Sequence, residues 1–263
     1  MTAFQHELHF ADAGEAADLA AFLARLIHYD RAAAVRLQAG GGVLAVFGRP
    51  PSFEVLAIRT ARLEAVVTAG ATDAGAPGGP GALDTTVSAG QFADALDAAG
   101  SGTTTASEGL TVAVPEAVTG PPWAGLLPPR GGWRRVPGLP GTDEVRAAVA
   151  AAVAEFRARD EALPEEHRTR AERDRIGHEI WSRTLGDTGL PLRAVHAAQS
   201  LGFLRPARAG APAATGSRGA TALAPQTEPL GLLAAGGWLR LRTPYGSIAV
   251  RTSGLSGLSV TPA

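Results

Sequence analysis

Apolar and polar residues alternate at the start of the chain. Phe4, His6, Leu8 and Phe10 fall on one side and Gln5, Glu7 and His9 on the other, which predicts a half-buried strand. Asp12 with Glu15 three residues on is a capping-box pattern, and Leu19, Phe22, Leu23, Leu26 and Ile27 give the helix behind it a broad apolar face. Residues 35–38 and 43–47 flank Gly40-Gly41-Gly42 and predict a hairpin. Arg49-Pro50-Pro51 interrupts the pattern, and residues 53–67 are then β-rich, as one long bent strand or two. Residues 69–82 are almost wholly Ala, Gly and Pro and read as a surface loop. Beyond them come a short strand at 84–87 and a second capping box from Ser88 to Gln91. A helix carrying Phe92 and Leu96 follows, then a hairpin from 103–105 to 110–114.

Between 142 and 204 the period becomes helical. Thr142 reads as an N-cap, Asp143 and Glu144 place negative charge at the positive end of the dipole, and Val145, Val149, Val153 and Phe156 make one stripe. Pro164 ends that helix. Residues 165–175 hold four arginines and four acids, which read as a neutral, ion-paired, solvated face. Ile176, Ile180, Trp181 and Leu185 then supply an apolar face. Gly186-Asp187-Thr188-Gly189 predicts a turn, and Pro191 opens a third helix packed by Leu192, Val195, Ala198 and Leu201. Helix, glycine turn and helix give a helix-turn-helix outline, although Leu185 is bulky where that motif usually has a small residue. Its exposed face would offer Arg193, His196 and Ser200. A helical hairpin that closes a core is the plainer expectation.

The stretch 121–140 between these parts carries six prolines, Trp123 and the run Arg130-Gly-Gly-Trp133-Arg134-Arg135. It predicts a connector with an extended piece near 133–136. Arginines around an exposed Trp suit phosphates and bases, while Trp133 as an anchor on the core is the favoured alternative. Residues 206–229 are low-complexity Ala, Pro, Gly and Thr, read as a flexible linker. Residues 238–242 and 247–251 surround Pro244-Tyr245-Gly246 and predict a hairpin. It is either the wing of a winged helix or a return to the first sheet.

Charge changes this picture more than composition does. The 263 residues carry net charge −1, yet 1–129 hold six arginines against thirteen acids, net −7, and both 130–210 and 211–263 are net +3. A boundary near 120–140 follows. Cys, Lys and Asn are absent, so thiol nucleophiles, thiolate metal sites, Schiff-base lysines and phosphate-loop lysines are excluded. No secretory leader pattern and no membrane-length apolar run occur, which predicts a cytoplasmic protein.

Over the first 115 residues the elements run strand, helix, two or three strands, then strand, helix, two strands. That order resembles the repeated unit of sliding clamps, and the resemblance covers element order only. It implies a fold of repeated β-α-β-β units. A clamp's function also needs a basic inner surface for the duplex, whereas this half is acidic.

Catalytic patterns fail one by one. His178-Glu179 lacks the second zinc-protease histidine, since Ser182 stands there; His196 has no acidic orienter near in sequence; His6 and His9 point to opposite faces of a strand. The chain is therefore expected to be α+β. A mixed or antiparallel sheet with two packed helices spans 1–120, 121–140 is a connector, 141–205 a three-helix unit, 206–229 a linker, and 230–263 a β-hairpin and tail. The expected function is non-enzymatic, through a protein partner or self-association, with no metal or cofactor. Nucleic-acid binding by the helix-turn-helix-like pair is the first alternative, and an enzyme whose site assembles only in the fold is the second. The binding residues expected are Arg130, Trp133, Arg134, Arg135, Arg193, His196, Arg240 and Arg242. The nucleic-acid reading requires Arg193 to share a face with Arg240, Arg242 and Arg251.

Overall fold

A computed structural model describes residues 6–68, 82–101, 109–205 and 230–252. The expected loop at 69–82 (but for its last residue), the strand at 103–105, the linker at 206–229 and the C-terminal tail lie outside the described residues.

The chain is α+β with a large antiparallel sheet. Strand β1 (His6–Phe10) buries Leu8 and Phe10 fully, as the alternation predicts. Helix α1 (Ala13–Tyr29) starts where the Asp12 carboxylate accepts from the Glu15 amide at 3.0 Å, and it buries Leu19, Phe22, Leu23 and Leu26. β2 (Ala34–Gly40) and β3 (Val43–Gly48) form the expected hairpin. Gly41 and Gly42, at φ 60° and 75°, supply the two left-handed residues of its tight turn. β4 (Leu56–Thr68) is one strand that changes partners. Its first half pairs with β3, and from Leu63 onward it pairs with β1. β5 (Leu83–Ser88) closes on β2, Ser88 caps α2 (Ala89–Gly100), and β6 (Leu110–Ala113) pairs with β1.

The connector holds a 3-10 turn at Pro122–Gly125 and the short strand β7 (Arg134–Val136). α3 (Thr142–Glu161) starts one residue away from the sequence expectation. Gly141 is the cap, Thr142 is the first helical residue, and the Glu144 carboxylate reaches back to accept from the Gly141 amide at 3.0 Å. α4 (Arg170–Ser182) follows a 3-10 turn at Glu165–His167, and α5 (Leu192–Ser200) completes the helices.

The C-terminal element is larger than a hairpin. β8 (Gly231–Ala235) precedes β9 (Trp238–Thr243) and β10 (Gly246–Arg251), and β10 pairs with β4. The sheet therefore runs β5-β2-β3-β4-β10-β9-β8-β7, all antiparallel. The return to the first sheet holds, and the wing reading is corrected. The physical reason is burial: Leu241, Ile248 and Val250 are at most 2% exposed and join one core with Val195, Leu44 and Phe22.

Candidate functional site

Strand alternation sorts the C-terminal arginines. Leu239, Leu241, Ile248 and Val250 face the helices, so Trp238, Arg240 and Arg242 of β9 and Ser247, Ala249 and Arg251 of β10 face the other way. Across the pairing, Arg135 lies opposite Leu233 and Leu233 opposite Arg240, which puts Arg135 on this second face as well. Arg134, the preceding residue on β7, faces the helix side.

The connector crosses the second face. Trp123, Leu127 and Trp133 pack against Phe47, Leu56, Ile58, Trp238 and Ala249 in a small core of their own, separate from the helix-side core. The Trp133 indole N–H donates to the Pro129 carbonyl at 3.0 Å, and the Arg240 guanidinium lies 5.7 Å from its ring centre. Arg240 also donates to the Ser247 hydroxyl at 2.8 and 2.9 Å. Burial, and secondarily the neighbouring Arg242, pull Arg240 below its ordinary pKa. Arg251 lies over Trp238 at 5.3 Å. Trp133 is thus an anchor, and its arginine neighbours are the exposed part: Arg130, Arg134, Arg135 and Arg251 are exposed and Arg242 is half-buried.

Residues 117–142 and 229–252 contain six arginines and not one Asp or Glu. Elsewhere arginines find carboxylates readily. Glu155 and Glu179 bind Arg159 and Arg183 between α3 and α4, and Asp160 binds Arg173. Asp18 holds Arg59 at 2.9 Å and Arg205 at 2.9 Å.

Arg193 and His196 are elsewhere. Both sit on α5, which packs on β10 from the helix side. Within α5 only Gln199 is exposed. The His196 ring stacks on Trp181 at 4.3 Å and meets Phe53 edge-on at 5.1 Å, and burial lowers its pKa. Arg193 is 3.9 Å from Glu54. The requirement that Arg193 share a face with Arg240, Arg242 and Arg251 is not met. The helix-turn-helix reading is corrected: the link from α4 to α5 is a nine-residue loop, 183–191, tied by a Thr184–Pro191 bridge, and the second helix is buried rather than presented.

An open groove of about 450 Å³ lies between β5 and the connector, lined by Arg36, Asp84, Thr86, Val118 and Pro121, without histidine. Among the described residues no group of three His, Asp or Glu is placed to hold a metal, and no helix is long and apolar enough to cross a membrane.

Sequence reading missed two parts of this arrangement. Trp238 belongs to the face, and the Trp238, Arg240, Arg242 alternation was a usable signal. The Asp18, Arg59, Arg205 cluster had none, because its members are 41 and 187 residues apart.

Residues 3–125 match the family described as Domain of unknown function (DUF8010), and residues 128–255 match the one described as Domain of unknown function (DUF8185). No curated protein matches the chain. Solved structures similar to it include the DNA polymerase sliding clamp from Pseudomonas aeruginosa. That structure is 11% identical, with 99% of this chain and 68% of that chain covered and a TM-score of 0.43. A DnaN sliding clamp (DNA polymerase III subunit beta) from Pseudomonas aeruginosa bound to griselimycin is also 11% identical, with 100% and 69% covered and a TM-score of 0.42. At these values they transfer no residue role to this chain.

Proposed function

We propose that the protein acts without catalysis, by binding a negatively charged macromolecular partner on the arginine-bearing face of β7–β10. The observation that carries this reading is that Arg135, Arg240, Arg242 and Arg251 share this face, and that the two segments which build it, 117–142 and 229–252, hold no acid. Exposed arginines gathered on one face raise the local potential and steer an acidic partner. A protein partner is favoured over single-stranded nucleic acid. Trp133 and Trp238, the aromatic rings a base would stack on, are packed into the small core and covered by Arg240 and Arg251.

Size-exclusion chromatography with light scattering tests this. The wild-type chain and an Arg130→Glu/Arg134→Glu/Arg135→Glu variant are run at low and moderate salt, each alone, with poly-L-glutamate and with duplex DNA. A salt-sensitive mass increase with a polyanion that the variant lacks supports the reading. Equal binding by the variant removes it. Binding of duplex DNA alone moves the function to nucleic acid.

A further inference from the structure

β7 is the last strand of the sheet, and among the described residues β8 is its sole strand neighbour. A Cβ on Gly131, Gly132 or Gly138, the glycines that flank β7, would meet nothing within 4 Å. Gly132 and Gly138, at φ 77° and 83°, turn the chain at either end and leave Arg134-Arg135-Val136 extended between them. Both arginines are exposed, and their successive positions point them to opposite faces of the sheet.

We propose that the outer edge of β7 accepts an extended acidic segment of a partner protein as an added strand, held by Arg134 on one face and Arg135 on the other. The inference rests on the reading of this face as a binding surface and names its partner. A strand laid along an edge gains main-chain hydrogen bonds whatever its sequence, and specificity comes from side chains opposite one another. Two neighbouring carboxylates on the added strand point to opposite faces, so each meets one arginine. Edge strands commonly carry charge simply to repel other strands. Here the charge is of one sign only, with no acid anywhere in the two segments around it, so it repels basic strands and recruits acidic ones.

The test is fluorescence anisotropy with two short labelled peptides of equal negative charge. In one, adjacent Glu-Glu pairs are separated by Val and Thr; in the other, prolines replace the Val and Thr residues and remove the amide donors. The full chain should bind the strand-forming peptide roughly tenfold more tightly than the proline peptide, and Arg134→Ala/Arg135→Ala should weaken binding of the strand-forming peptide by roughly tenfold or more. Circular dichroism of that variant confirms its fold. Equal affinity for both peptides overturns strand addition and leaves the face as a charge-driven binding surface. Binding of duplex DNA with neither peptide overturns the protein partner. Failure of peptides, poly-L-glutamate and DNA alike overturns both this inference and the reading beneath it. A mass increase of the chain alone on light scattering, lost in the arginine variant, would assign the edge to a second copy instead.

Discussion

Stacking on Trp181 and edge contact with Phe53 take the His196 ring out of water and hold its pKa below the ordinary 6.5. The folded state then favours neutral imidazole, while the unfolded chain binds the proton more readily. This contribution is fully present above pH 6.5 and is lost as the pH falls below it. Thermal melts taken downward from 6.5 should show declining stability, and His196→Phe should flatten that slope. An unchanged slope would assign the effect to other groups. Gly246 is equally specific. At φ 152°, a Cβ there would lie 2.6 Å from the Phe203 ring, which itself stacks on Phe22 at 5.6 Å. Gly246→Ala should cost about 2–3 kcal/mol in urea unfolding. Neither contact was legible in the sequence, because each depends on a residue brought from a distant element. The Asp12 and Ser88 caps were legible, because both partners lie within three residues.

Secondary structure was legible wherever one period ran long enough. The β2–β3 hairpin, the Pro244-Tyr245 turn and the stripe of α3 all follow from local pattern. β8 was missed because Leu232-Leu233-Ala234-Ala235 lacks alternation and turn signals and follows a low-complexity stretch. The glycine turn after α4 is present as a 3-10 turn at Gly186–Thr188, but α4 ends earlier than its apolar face suggests, and Leu185, expected at the end of that face, is buried beyond the helix end. The polar half of α4 was read correctly as an ion-paired surface. Within 165–175, Arg175 pairs with Glu172 and Arg173 with Asp160; beyond it, Glu179 accepts from Arg159 at 2.8 Å and from Arg183 at 3.1 Å, and these hydrogen bonds pull its pKa from 4.5 to about 2. A carboxylate with a depressed folded pKa contributes above 4.5 and loses that contribution as the pH falls toward 2. Acid titration followed by Trp181 fluorescence should show α3–α4 loosening in that window, and Glu179→Gln should remove the acid dependence it causes. The exposed pairs are screened, so the loss should also shrink with added salt.

For the whole chain, the continuous sheet matters most. β10 on β4 joins the acidic and basic halves, and Asp18 ties α1 to Arg59 on β4 and to Arg205 after α5. Asp18→Asn leaves Arg59, 8% exposed, without its hydrogen-bonded carboxylate, with Glu15 as a more distant counter-charge. The expected cost is about 2 kcal/mol, less than for a fully buried pair because Asp18 is partly solvated. Chemical denaturation should register it, and an effect near zero would show that water replaces the carboxylate. The sheet also decides the site. Sequence reading listed Arg130, Trp133, Arg134, Arg135, Arg193, His196, Arg240 and Arg242 as one set, and only strand pairing shows that Arg193 and His196 are on the helix side. Amide hydrogen exchange of the full chain with and without poly-L-glutamate at low salt tests this division most directly. The account predicts slowed exchange at β7 and the connector before it, with Leu192–Ser200 unchanged. Protection concentrated on α5, with β7 unaffected, would contradict it.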